Sequence, residues 1–232
     1  MSNEFYEKCE ETQEQERPRK RISRQERERR RRIRRRKAML ARIFAMVVMV
    51  LFVIGLAFAI RQIRRRAARK PVEKPEITED FLTVNPYSRP GEKLGKVKNV
   101  FVHYTANPNT SAANNRSYFE NLKDTHETYA STHFVIGIEG EIIQCLPLEE
   151  IGYGVKTRNY DSVSIECCYT SEDGSFSEAT YQSLLHLVGW LLWEYDLEPE
   201  DVLRHYDVGG KMCPLYYVEH EDAWEAFRKD LE

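Results

Sequence analysis

The 232-residue chain predicts an α/β fold, a mixed β-sheet flanked by helices, preceded by a disordered basic tail and one transmembrane helix. Three observations predict it. Along residues 81–232, apolar runs of strand length alternate with stripes of helical period, the pattern of a sheet layered with helices. Two of those runs bracket Glu139-Gly140, a hairpin signal, so the sheet holds at least one antiparallel pair. Upstream, Ile43 to Ile60 is an uncharged apolar run of 18 residues with basic residues on both flanks.

The N-terminal elements follow from charge. Residues 1–37 form the expected tail, acidic to residue 16 and basic from 17. Arg17–Lys37 carries 14 basic residues opposed only by Glu26 and Glu28, so it repels itself and has nothing to bury. The net charge of −2 conceals this asymmetry: residues 1–70 hold 22 Lys and Arg against 8 Asp and Glu, and the remainder is acidic. A basic tail without a basic folded face argues against a nucleic-acid partner and fits topogenic charge near anionic lipid.

Residues 38–60 are the expected signal-anchor helix. As a helix, Ile43–Ile60 is about 27 Å long, close to the roughly 30 Å hydrocarbon core of a bilayer, and Arg42 can snorkel at its edge. A cleaved signal peptide is the rival reading, because Ala57-Phe58-Ala59 has the small-x-small form of a cleavage site. The apolar stretch exceeds the roughly 7–15 residues of a signal core, which favours the anchor. The basic excess upstream places the N-terminus in the cytoplasm and the C-terminal domain outside. Residues 61–80, including PVEKPEITED, are the expected linker, and 81–232 the folded domain.

Within that domain VKNVFVHYTA (97–106) is an apolar strand, and Ser117–Lys123 a short helix. THFVIGIEGEIIQCL (132–146) is the hairpin and SVSIECCY (162–169) another strand. Glu178–Tyr195 carries a helical stripe through Leu184, Leu185, Val188, Leu191 and Leu192, into or beside which Trp190 and Trp193 pack. DVLRHYDV is a short strand leading into the loop GGKMCP, and Asp222–Leu231 a final amphipathic helix. Cys145, Cys167 and Cys168 are expected as buried thiols, the adjacent pair pointing to opposite faces.

Several residues have types suited to metal-assisted chemistry. His205 and Cys213, with seven residues between them, are good Zn²⁺ ligands, but a pair at that spacing also arises by chance. His103 ends an apolar strand and is a third candidate, since sheets bind ligands at their strand ends. Glu166 lies inside the apolar run VSIECC. It is either a carboxylate compensated by a nearby cation, and then a candidate base, or the solvent side of an alternating strand. Lys211 is either a partner for developing negative charge or a solvated loop lysine.

VHYTANP, STHFVIGIEGEIIQCLPL, RNYDSVSIECC and LRHYDVGGKMCP, in that order, resemble the zinc-dependent N-acetylmuramoyl-L-alanine amidases. These share a fold with peptidoglycan recognition proteins and amidase-type bacteriophage lysozymes, and the wording is most like clostridial and bacillar cell-wall members. The resemblance covers about residues 85–220. It implies a peptidoglycan hydrolase that cuts the amide between N-acetylmuramic acid and L-alanine. It further implies Zn²⁺ on His103, His205 and Cys213, Glu166 as base, and Lys211 stabilising the transition state. At Thr132 the phage enzymes carry a tyrosine; no role is assigned to it here. His133 is taken as structural or substrate-contacting, and Asn107, Arg158 and Asn159 as flanking substrate contacts. The implied location is the bacterial cell membrane, single-pass, with the catalytic domain outside facing the wall. The alternative is a non-catalytic peptidoglycan-binding or scaffold module. Nothing in the sequence sets the oligomeric state.

Overall fold

The computed structural model describes residues 23–232 and divides at Arg65/Arg66 into two units. The expectation of a disordered tail falls for residues 1–22 outside the described residues. From Arg24 the described chain is helical: helix α1 runs Arg24–Ala68, upstream of the expected start at Ala38. The Ser23 hydroxyl accepts the Glu26 N–H, and Glu26–Arg30 and Arg24–Glu28 are ion pairs one turn apart. Arginine is a good helix former, and helix already nucleated in the apolar run extends at little cost. Among the described residues this is the helix long and apolar enough to cross a membrane, and none of its apolar window is buried.

The second unit starts earlier than the expected boundary at 81. Arg69 donates to the Leu197 carbonyl (2.8 Å) and pairs with Glu198; Val72 and Ile77 pack against the core, and Pro75 is buried. The Pro- and charge-rich composition had suggested a free tether, but these spaced apolar side chains anchor it. Strand β1 (Thr78–Glu79) then pairs parallel with β4 (Ile142–Gln144) and covers its edge.

The sheet, six strands among the described residues, has the order β1-β4-β3-β5-β2-β6. Strand β3 (Phe134–Ile136) pairs antiparallel with β4 across the expected hairpin. Strands β2 (Asn99–Tyr104), β5 (Ser162–Cys167) and β6 (Val202–Arg204) complete it, with β3–β5, β5–β2 and β2–β6 all parallel. Helix α3 (Glu178–Tyr195) lies on one face, capped by Ser177, whose hydroxyl accepts the Thr180 N–H. Its Leu184, Leu187, Val188 and Leu191 pack in one cluster with Val100, Val102, Val163, Ile165 and Cys167. Helix α5 (Glu221–Asp230) adds Trp224 and Phe227 to that cluster. Helix α2 (Ala112–Thr125) covers the other face with Phe119 and Leu122, against Val135, Leu146 and Cys168.

Two-residue alternation sorts β5 between these layers. Val163, Ile165 and Cys167 enter the α3 cluster, while Ser162, Ser164 and Glu166 point the other way. Cys167 and Cys168 enter different clusters, as expected of neighbours in extended chain. Trp190 is buried, but Trp193 is 38% exposed: it lies beside the apolar stripe and meets solvent. A short helix α4 (Leu215–Glu219), absent from the sequence reading, follows Cys213-Pro214.

Candidate active site

Parallel register assembles the site. His103 at the end of β2 pairs directly with Glu166 on β5. On the other side Val102 pairs with Arg204, the last residue of β6, so His205 emerges one step beyond. Three adjacent strand ends thus deliver His103, Glu166 and His205 to the carboxyl edge of the sheet. The loop after His205 returns Cys213 to the same place, closed at its neck by Tyr206 N–H to Cys213 C=O (3.1 Å).

His103 Nδ1 lies 3.2 Å from His205 Nδ1, 3.6 Å from Cys213 Sγ and 3.9 Å from Glu166 Oε1. One donor atom from each of His103, His205 and Cys213 fits within 4.8 Å of the others. Tetrahedral zinc, with bonds of about 2.0–2.1 Å to nitrogen and about 2.3 Å to sulfur, would separate its donors by about 3.3 Å (N to N) and about 3.6 Å (N to S). The donor set and its spacing fit that ion.

Burial shifts every member toward its uncharged form. The His103 imidazole is lowered to about 3, by burial first and then by His205 and Lys211. His205 is lowered by burial, Lys211 and Lys156. Burial raises the Cys213 thiol to about 12 and Glu166 adds to it, while the Tyr104 N–H and Lys211 oppose. Burial pushes the Glu166 carboxyl up to about 8 against the pull of Lys211. Among the described residues, His103 Nε2 and Glu166 Oε2 are the buried side-chain polar atoms without a hydrogen-bond partner. Buried polar atoms without partners are costly. The lone pairs that face one another are those of His103 Nδ1, His205 Nδ1 and Cys213 Sγ, a set that a cation would stabilise.

The sequence reading of Glu166 had two branches, and each holds a part. The strand does alternate, but the face Glu166 shares is the site and not open solvent; its side chain is 20% exposed. Lys211 is exposed, yet its charge is felt by His103, His205, Glu166 and Cys213. Asn107 is exposed just beyond β2, at the rim.

Three expected substrate contacts have their side chains engaged by the protein itself. His133 is 1% exposed; its Nε2–H donates to the Glu150 carbonyl and its Nδ1 accepts the Ser164 N–H. It pins the 147–154 loop to β5 and has no atom left for substrate. Arg158 is tied to Asp161 and to Asn99 at the opposite end of β2 from His103, with its guanidinium over the Phe101 ring. Asn159 is buried, and its side-chain oxygen accepts the Val155 N–H. Arg158 and Asn159 were expected because they flank the presumed site in sequence, but the chain runs the length of β5 between them and Glu166; His133 was expected from the family resemblance. Thr132 is structural as well, its hydroxyl bonded to the Ser164 carbonyl.

The sequence reading also missed two features of the site. A Cβ on Gly154 would lie 2.5 Å from Ser164 Oγ and 3.7 Å from His103 Nε2, so this loop must lack a side chain to approach β5. Arg204, at the end of an apolar strand, is 6% exposed beside His205. The incongruity that drew attention to Glu166, a charge in an apolar run, was equally present there.

The family model for N-acetylmuramoyl-L-alanine amidase matches residues 93–215, which span β2 through the return of Cys213. The chain belongs to the N-acetylmuramoyl-L-alanine amidase family. A probable N-acetylmuramoyl-L-alanine amidase of Bacillus licheniformis is 33% identical over 169 residues, covering 68% of this chain and 47% of that protein. The amidase BlyA of Bacillus subtilis (strain 168) is 33% identical over 176 residues, 67% of this chain and 46% of its own length. The chain therefore spans less than half of these relatives. Among solved structures, a mutant endolysin from Bacillus subtilis matches with TM-score 0.58 at 29% identity, over 68% of this chain and 99% of that one. The catalytic domain of XlyA matches with TM-score 0.58 at 27% identity, over 68% and 100%. The amidase fold accordingly resides in the second unit.

Proposed function

We propose that this member of the family is a zinc-dependent peptidoglycan hydrolase that cleaves the amide between N-acetylmuramic acid and L-alanine. The observation that carries the reading is the convergence of His103, His205 and Cys213 on one point beside Glu166. His103, His205 and Cys213 would hold the ion, three protein ligands leaving one position open, as catalytic zinc requires. When bound, zinc supplies a Lewis acid for the scissile carbonyl and lowers the pKa of water to about 7.

The remaining roles fall to the chain. The Glu166 carboxylate accepts the proton of the attacking water and returns it to the leaving amide nitrogen. A cation held by the donor cluster would draw its carboxyl back from about 8 toward the anion that this step needs. Lys211 stabilises the developing oxyanion from the loop, and Asn107 at the rim contacts substrate. Retention of Cys213 with Glu166 and Lys211 favours an enzyme over a binding module. We also assign α1 as a single-pass anchor with a cytoplasmic N-terminus, which places the catalytic unit outside, toward the wall.

The test is turnover by Glu166→Gln in the zinc-loaded full chain. Loss of about 10²–10⁴-fold in kcat with zinc content unchanged is the expected result; hydrolysis at the wild-type rate would remove Glu166 from the mechanism.

A further inference from the structure

The His205–Cys213 loop is held by a few backbone hydrogen bonds of its own and otherwise faces solvent. Residues 206–212 are all exposed, and Gly209 and Gly210 have open space around them. Yet its two ends must hold an imidazole and a thiol at a fixed spacing. Arg204 is built to do that. Its backbone N–H donates to Asp207 Oδ2 (2.8 Å) and its Nη2 to Asp207 Oδ1 (2.8 Å), closing a clamp across the turn that bears His205. Its Nη1 reaches the Tyr217 carbonyl (2.7 Å) on α4, the helix entered directly from Cys213-Pro214, and Glu221 Oε2 (2.6 Å). The guanidinium also lies over the rings of Tyr206 (5.5 Å) and Trp224 (5.4 Å).

We propose that Arg204 is a positioning residue that sets the separation of His205 and Cys213 by tying the first to Asp207 and the second, through α4, to the same guanidinium. The inference rests on reading those two residues as metal ligands. A planar fork is required, because the donors leave the same group in different directions; lysine offers a point charge and cannot reproduce them. Groups that orient ligands without touching the metal change its affinity about 10–100-fold when altered.

The experiment measures zinc affinity of the full chain in detergent by competition with a chromophoric chelator, and records the visible spectrum of the Co²⁺-substituted protein. Arg204→Lys is expected to weaken zinc by about 10–100-fold and to shift the Co²⁺ spectrum, with circular dichroism unchanged. Glu221→Gln, which alters only the more exposed arm of the network, is expected to bind zinc as wild type does. Should Arg204→Lys fail to fold, Asp207→Asn breaks the clamp with Arg204 in place and is expected to weaken zinc in the same range. Wild-type affinity and spectrum in a folded Arg204→Lys or Asp207→Asn protein would overturn the proposal, as would weakening by Glu221→Gln equal to theirs. A wild-type chain that takes up no zinc would instead overturn the metal reading on which it stands.

Discussion

His133 and His103 are both buried imidazoles, and they differ in what their ring nitrogens meet. His133 has a backbone donor at Nδ1 and a backbone acceptor at Nε2, so its neutral Nε2–H tautomer is fully satisfied. His103 has Nδ1 facing another imidazole and a thiol, with Nε2 unpartnered. The first is a structural pin; the second is the imidazole proposed above as a metal ligand. For His133 the folded value, about 4, lies below its ordinary 6.5, and burial is the leading cause. Its contribution to stability is therefore complete above pH 6.5 and is lost as the pH falls through that window toward about 4. Up to about 3 kcal/mol is at stake. Denaturant midpoints of wild type and His133→Gln from pH 7.5 to 4 check this. The variant is expected to be less stable at neutral pH and less sensitive to acid; parallel profiles would remove His133 as a source of the acid loss. At the site, sequence gave the donor residue types and their order. It could not give depth, which is why Arg158 and Asn159 appeared beside the site when their side chains serve the far end of β2 and the preceding loop.

At the scale of elements, the register between β2 and β5 is the feature on which the site turns. A slip of one residue would send Glu166 into the α3 cluster and Ile165 into the site. That register is fixed by the buried side of β5 and by α3 packed upon it. Leu187→Ala on α3, fully buried, is expected to cost about 2–5 kcal/mol in chemical denaturation while leaving zinc affinity of the folded fraction intact. Strong periodicity made β2, the hairpin, β5 and α3 legible, and α3 lies at the bounds its stripe predicted. Strand β1 and helix α4 were not legible. Two residues of strand and five of helix carry no period, and both exist because neighbours across the sheet or along the chain hold them. The start of α1 differed for the opposite reason, local propensity and capping overcoming charge repulsion.

For the molecule as a whole, a cation that binds the folded state and not the unfolded one must stabilise it. With zinc at 100 times its dissociation constant the gain is about 2.7 kcal/mol, and the thermal midpoint of the second unit is expected to rise by about 5–10 °C and to fall again on chelation. Calorimetry with and without chelator checks this. The charge arrangement sets a second expectation: on intact cells stripped of wall, added protease removes the amidase unit if the basic flank upstream of the span is cytoplasmic. Protection of that unit would reverse the assigned orientation. The most direct test of the chemistry is the bond that is broken. Peptidoglycan incubated with the zinc-loaded full chain is predicted to gain free amino groups on L-alanine, with no new reducing ends, and the gain is predicted to vanish when zinc is withdrawn. New reducing ends without alanine amino groups, or undiminished release after the metal is removed, would contradict the account.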